Sequence, residues 1–197
     1  MDRIVVALAF LLLTASAQAS SLPLVDTHAH FQTVGYRDLS ASYEAALANM
    51  DRMNIAKSLL MPPPFSSPGM KPYYDIEDLL FAVKKSPARF AVLGGSSLNI
   101  VIHTTAPEAV SESVRARFRQ RAQEIIALGA VGFGEMAVMH VSIPLMGPQH
   151  SYENVPADHP LFLLLADIAA ENDVPIDLHF DMVPETCLCL TASGRID

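Results

Sequence analysis

The segment LVDTHAHFQ, from Leu24 to Gln32, sets His28 and His30 one residue apart at the end of a short apolar run, just behind Asp26. Residues two apart in a strand share a face, so Asp26, His28 and His30 are expected to point the same way. Two neutral imidazoles on one face can meet one cation. The spacing recurs in IDLHFD, where Asp177, His179 and Asp181 share a face, and Glu135 ends the apolar run AVGFGEM. Three histidines and one carboxylate, His28, His30, His179 and Glu135, form a donor set for a divalent metal. Zinc suits it best, with manganese or iron as alternatives. Asp26 is expected to orient an imidazole rather than ligate. Asp177 lies deeper in its strand and needs a partner there, which gives it a structural or supporting role.

These residues need elements to position them. LPLVDTH, IAKSLLM, RFAVLGGSSL, AVGFGEM and VPIDLHFD read as strands, the third running into a Gly-Ser turn. Between them, SASYEAALANMDRM carries Tyr43, Ala46, Leu47 and Met50 at helical spacing, with Ser40 or Ser42 as cap. YYDIEDLLFAVKKS has Asp75, Glu77 and Asp78 early and Lys84 and Lys85 late, as the helix dipole favours. The stretch from Pro107 to Ala130 is the clearest helix, with Val114, Phe118, Ile125 and Leu128 as its apolar stripe and Gly129 as its stop. LFLLLADIAAEND is the last helix. The segments PPPFSSPGMKP and AVMHVSIPLMGPQHSYENVPADHP read as loops.

About five parallel strand–helix units imply an α/β fold, either a partial (β/α) barrel of the TIM type or an open parallel sheet. A complete eight-unit barrel takes about 250 residues, more than this chain offers. In either architecture sites form at strand C-terminal ends, which is where His28, His30, Glu135 and His179 fall. His103, His140, His150 and His159 are expected in the loops above those ends, each as a solvated histidine. The loop after Glu135 is the expected place for substrate contacts.

The chain has 197 residues and a formal net charge of -8, which argues against a broad nucleic-acid surface and fits a small-molecule substrate. Residues 1–19 read as a signal peptide: Arg3, the apolar run IVVALAFLLL, then Ala17 and Ala19 flanking Gln18 at an A-x-A site. The product is then exported, periplasmic or secreted, with residues 20–197 as one domain. No other segment reads as a membrane span. Cys187 and Cys189 are the two cysteines, too close for an unstrained bridge, and read as incidental thiols.

DTHAH in the first strand, GAVGFGEM in the fourth and PIDLHFD in the fifth resemble the amidohydrolase superfamily, nearest its amidohydrolase-related, TIM-barrel metal-dependent hydrolases. The resemblance runs from about Leu24 to Asp181. It implies that His28 and His30 bind a metal, that Glu135 can bridge two metals and is the catalytic carboxylate, and that His179 binds the second. The bridging lysine of some relatives has no place here, because no lysine follows Lys85. The family's sixth-strand histidine and its eighth-strand aspartate, which handles the proton of the attacking water, have no counterpart. This implies a C-terminally truncated or frame-shifted product.

The activity implied is metal-assisted attack of water on an amide, ester or lactone. The alternatives are decarboxylation on the same kind of site, phosphodiester cleavage, or a non-catalytic metal-binding fragment that self-associates through open barrel edges. Gly132, Gly134 and Ala137 also match G-x-G-x-x-A, but that fingerprint must open a helix, and here a loop rich in proline follows. Gly132 and Gly134 more simply allow close packing beside the fourth strand.

Overall fold

The computed structural model describes residues 22–31, 39–68, 73–141 and 152–181. The leader, His150, both cysteines and the C-terminal ending lie outside the described residues.

Strand β1 (Leu24–Ala29) leads to helix α1 (Ser40–Met53), β2 (Ile55–Leu60), α2 (Ile76–Lys85) and β3 (Phe90–Val92). Helices α3 (Ser96–Thr104) and α4 (Glu112–Ala127) then precede β4 (Phe133–His140), the short β5 (Glu153–Asn154), α5 (Pro160–Glu171) and β6 (Ile176–Phe180). β1, β2 and β3 pair in parallel in that order, and β4 pairs in parallel with β6. A parallel bridge between Gly94 and Phe133 joins the two sheets, helped by backbone hydrogen bonds from Val131 to Val92 and from Gly134 to Gly94. The five expected strands are therefore neighbours in chain order, with helices in the crossovers. This is a partial (β/α) arrangement that does not close among the described residues.

Local chemistry explains the elements. Asp75 caps α2 in a full capping box with Asp78, and Ser111 caps α4 by accepting from the Val114 N–H. The first helix departs from expectation. Its cap position is Leu39, with no side-chain bond, and Ser40 and Ser42 fall inside the helix. Asn54, at φ +56°, ends α1 in the left-handed conformation, and Gly129, at φ +99°, follows α4 in the conformation glycine tolerates best.

Two elements differ from the sequence expectation. The supposed Gly-Ser turn after β3 opens helix α3, which buries Leu98 and Ile102 one helical turn apart. The supposed loop after Glu135 begins as strand, since β4 runs on to His140 and pairs antiparallel with β5. The clearest helix is also shorter than expected. A 3-10 turn at Pro107–Ala109 precedes it, and Leu128 is 40% exposed and leaves the stripe.

The core lies between the strands and the helices. α2 contributes Ile76, Leu79 and Ala82, α4 contributes Phe118, Ala122 and Ile125, and α5 contributes Leu161, Leu165 and Ile168. They meet Leu60, Phe90, Phe133 and Met136 from the strands. Each fully buried large side chain stabilises the fold by about 1.5–3 kcal/mol. This packed layer sets the strand ends rigidly enough to hold a site. No helix among the described residues is long and apolar enough to cross a membrane.

Candidate metal centre

His28 and His30 sit at the C-terminal end of β1, and Glu135 lies within β4, on the other side of the Gly94–Phe133 bridge. His30 Nε2 is 3.1 Å from Glu135 Oε2, His28 Nε2 is 3.7 Å from the same oxygen, and the two Nε2 atoms are 3.1 Å apart. Tetrahedral ligands with bonds of about 2.1 Å lie roughly 3.4 Å from one another. The three atoms therefore have the mutual spacing of ligands around one cation.

The other ring nitrogens fix the orientation. His30 Nδ1 is 2.8 Å from the Met61 carbonyl oxygen, and His28 Nδ1 is 3.2 Å from Asp177. A carbonyl and a carboxylate accept, so each Nδ1 donates outward and each Nε2 is turned toward Glu135. Two Nε2 atoms and a carboxylate converging on one point call for positive charge between them, a proton on His30 or a cation. The chain itself shows this pull. Burial pushes His30 down, but the Glu135 carboxylate, the Met61 carbonyl and the charge of Asp177 outweigh it, and His30 is held above its ordinary pKa of 6.5. Burial likewise pushes Glu135 up, but hydrogen bonds and charge from His30 and His179 win, and its carboxyl stays below the ordinary 4.5.

Asp26 does not make the contact expected of it, and Asp177 takes the supporting role instead. Asp26 accepts from the backbone N–H of His28 at 3.2 Å and from the Ser58 hydroxyl at 3.4 Å, whereas the imidazole of His28 is oriented by Asp177. The cause is a register shift in β1 between Asp26 and Ala29, which breaks the alternation that would have placed Asp26 with His28. Gly134 permits the approach of Asp177, because a Cβ added there would lie 2.7 Å from Asp177 Cβ. Gly132 is similar, its added Cβ falling 2.8 Å from the Pro175 carbonyl. Close packing beside β4 is thus why both positions are glycine. The nucleotide fingerprint is excluded, since Gly134 and Ala137 lie inside a strand and no helix opens there.

His179 stands beside this cluster. Its Nδ1 donates to Glu135 Oε1 at 2.6 Å, so its Nε2 points elsewhere, to 3.0 Å from His140 Nδ1 and 3.5 Å from Asp181 Oδ1. The structure thus brings His28, His30 and Glu135 together directly, and His179 to them through Glu135.

Of the other described histidines, two lie in regular elements and the third caps one. His140 ends β4, and a register shift between Ala137 and Met139 carries it toward His179. His103 lies in α3, bonded through Nε2 to the Ala137 carbonyl and paired through Nδ1 with Glu153. His159 is buried and caps α5, its Nδ1 accepting from the Leu161 N–H while its Nε2 meets the Thr105 carbonyl. The expectation of solvated histidines fails for these three because each has a specific partner.

No protein-family model matches this chain, and no curated protein matches it. Among solved structures, a dihydroxybenzoic acid decarboxylase from Polaromonas sp., with bound manganese and the inhibitor 2-nitroresorcinol, is similar at a TM-score of 0.45 and 17% identity. The match covers 83% of this chain and 51% of that one, so this chain spans about half the length of that structure.

Proposed function

We propose that the chain is a metal-dependent hydrolase of the amidohydrolase type, acting on an amide, ester or lactone of a small molecule. The observation that carries this reading is the convergence of two Nε2 atoms and one buried carboxylate oxygen within 3.1–3.7 Å, with both Nδ1 atoms already committed to acceptors. Such a donor set fits zinc, and also manganese or iron. A cation of this class, when bound, acidifies water and polarises a carbonyl.

The protein's own part is positional. His28 and His30 would hold the cation through Nε2. Asp177 and the Met61 carbonyl keep those rings turned correctly. Glu135 supplies negative charge from a side chain only 6% exposed, and would be the carboxylate ligand beside the two imidazoles. His179 steadies the second oxygen of Glu135 and so favours its ionised, ligating form. The open side of the cluster is toward His28, whose side chain is 44% exposed, which gives a substrate its approach. Export behind a cleaved leader belongs to the same proposal.

The test is metal content of the purified chain beside a His28→Ala, His30→Ala double variant, followed by a screen of esters, lactones and amides. Stoichiometric zinc or manganese, and hydrolysis that disappears in the variant, are expected. A folded wild-type chain that retains no metal after loading refutes the centre. Metal with carbon dioxide release from small acids, and no hydrolysis, replaces the hydrolase with a lyase.

A further inference from the structure

We infer that the chain holds a second divalent-metal site, built from His140, His179 and Asp181 and distinct in its ligands from the centre above. His140 Nδ1 lies 3.0 Å from His179 Nε2 and 3.1 Å from Asp181 Oδ2, and His179 Nε2 lies 3.5 Å from Asp181 Oδ1. The carboxylate thus reaches each ring through a different oxygen, and with one donor atom from each residue the three lie within 4.8 Å of one another, close enough to share one cation. The resemblance noted above implies His179 and a bridging Glu135 for a second metal, with neither His140 nor Asp181. His140 and Asp181 come from the geometry, and Glu135 contributes no oxygen to this group.

Three observations prepare the site. Glu135 Oε1 accepts from the His179 Nδ1–H, which leaves Nε2 aimed at His140 and Asp181. The Val141 N–H donates to Asp181 Oδ2 at 2.8 Å and fixes that carboxylate. The side chain of His140 is only 12% exposed, so its ring is held in place by its surroundings. The rings of His140 and His179 meet edge to face at 4.8 Å, which brings the two nitrogens together without stacking the rings. Two imidazoles and one carboxylate prefer zinc, iron or manganese to calcium, which takes six to eight oxygens.

The sites also communicate. Glu135 faces His30 through one oxygen and His179 through the other, so one carboxylate touches both donor sets. A cation at either site therefore changes the field and the hydrogen bonding felt by the other.

The test is calorimetric titration of the metal-free full chain with zinc chloride, with elemental analysis of the loaded protein. The variants are His140→Ala, His140→Gln, Asp181→Asn and the His28→Ala, His30→Ala pair. Wild type is expected to bind two equivalents, each His140 or Asp181 variant one, and the double variant the complementary one. Cobalt substituted for zinc gives a second readout, because each class of variant should remove a different part of the visible spectrum. Calcium should compete at neither site. A wild type that binds one equivalent, lost only with His28 and His30, overturns the second site and leaves the proposed function standing. One equivalent lost only with His140 or Asp181 does the reverse. Loss of all metal in every variant means a single shared site and overturns the inference, as does full retention in His140→Gln and Asp181→Asn. Circular dichroism of each metal-free variant separates lost ligation from lost fold.

Discussion

Asp177 is the most informative residue to change, because its hydrogen bond to the first cluster is made through His28. Asp177→Ala removes the acceptor on His28 Nδ1 and leaves every ligand atom in place. A hydrogen bond to a charged group contributes about 1.5–3 kcal/mol. Here the lower end applies. Both contacts are 3.2 Å, longer than the roughly 2.7–2.9 Å of a strong charge-assisted bond. Solvent also screens the pair, with His28 44% and Asp177 27% exposed. A loss of about 1.4 kcal/mol is a loss of about tenfold in affinity, at the low edge of what such supporting partners usually contribute. Asp177→Asn keeps a carbonyl acceptor and should recover most of it. Competition against a chromophoric chelator, at fixed neutral pH, reads the affinity directly. Asp177→Ala binding metal as tightly as wild type refutes the claim that His28 is held by that contact. A matching melting curve for the metal-free variant rules out a merely damaged fold.

Other consequences are equally open to measurement. Gly134→Ala should weaken metal binding in the same assay and lower stability by about 1–3 kcal/mol, because its new Cβ collides with the Cβ of Asp177 and not with a flexible tip. Asp75→Ala should lower the urea-denaturation free energy by roughly 3–5 kcal/mol, since Asp75 is buried, accepts from Ile76, Gly95 and Ser97, and pairs with Arg121. Burial pushes the Asp75 carboxyl up, but hydrogen bonds from Ser97, Gly95 and Ile76 outweigh it and hold it below the ordinary 3.8. Its contribution is therefore complete above that value and lost as pH falls through the lower folded one, so Asp75→Asn should flatten the acid limb of the stability curve below about pH 4. His159→Ala should cost about 1–3 kcal/mol through the lost cap of α5 and an unpaired Thr105 carbonyl, with His159→Asn restoring the cap alone.

Much of the wall and half of the site could be read before any coordinates. The five parallel strands announced themselves through short apolar runs, and His28, His30, Glu135 and His179 through their places at or near the ends of those runs. What stayed hidden has one recurrent cause. Strict alternation is the only tool a sequence offers for assigning strand faces, and an extra residue in a strand inverts it. The shift in β1 moved Asp26 away from the imidazole it was expected to orient, and the shift in β4 moved His140 toward His179. Asp177 could be recognised as needing a partner, but the partner comes from β1, which pairs with β2 and not with β6. Helix α3 was masked by the turn-like composition of GGSS, although Leu98 and Ile102 carried a helical interval. The two residues of β5 have no pattern long enough to register.

The placement of the first cluster across the junction between the two sheets has a mechanical consequence. His28 and His30 belong to the β1 side and Glu135 to the β4 side, with roughly a hundred residues of chain between them. A bound cation is thus a removable cross-link that closes a long loop. Such a clip favours the folded chain by restricting the unfolded one, and its effect grows with the logarithm of metal concentration, to about 2.7 kcal/mol at a hundredfold excess over Kd. Amide hydrogen exchange should register it as slowed opening at Gly94, Val131 and Gly134, whose N–H groups bond across the junction between the two sheets.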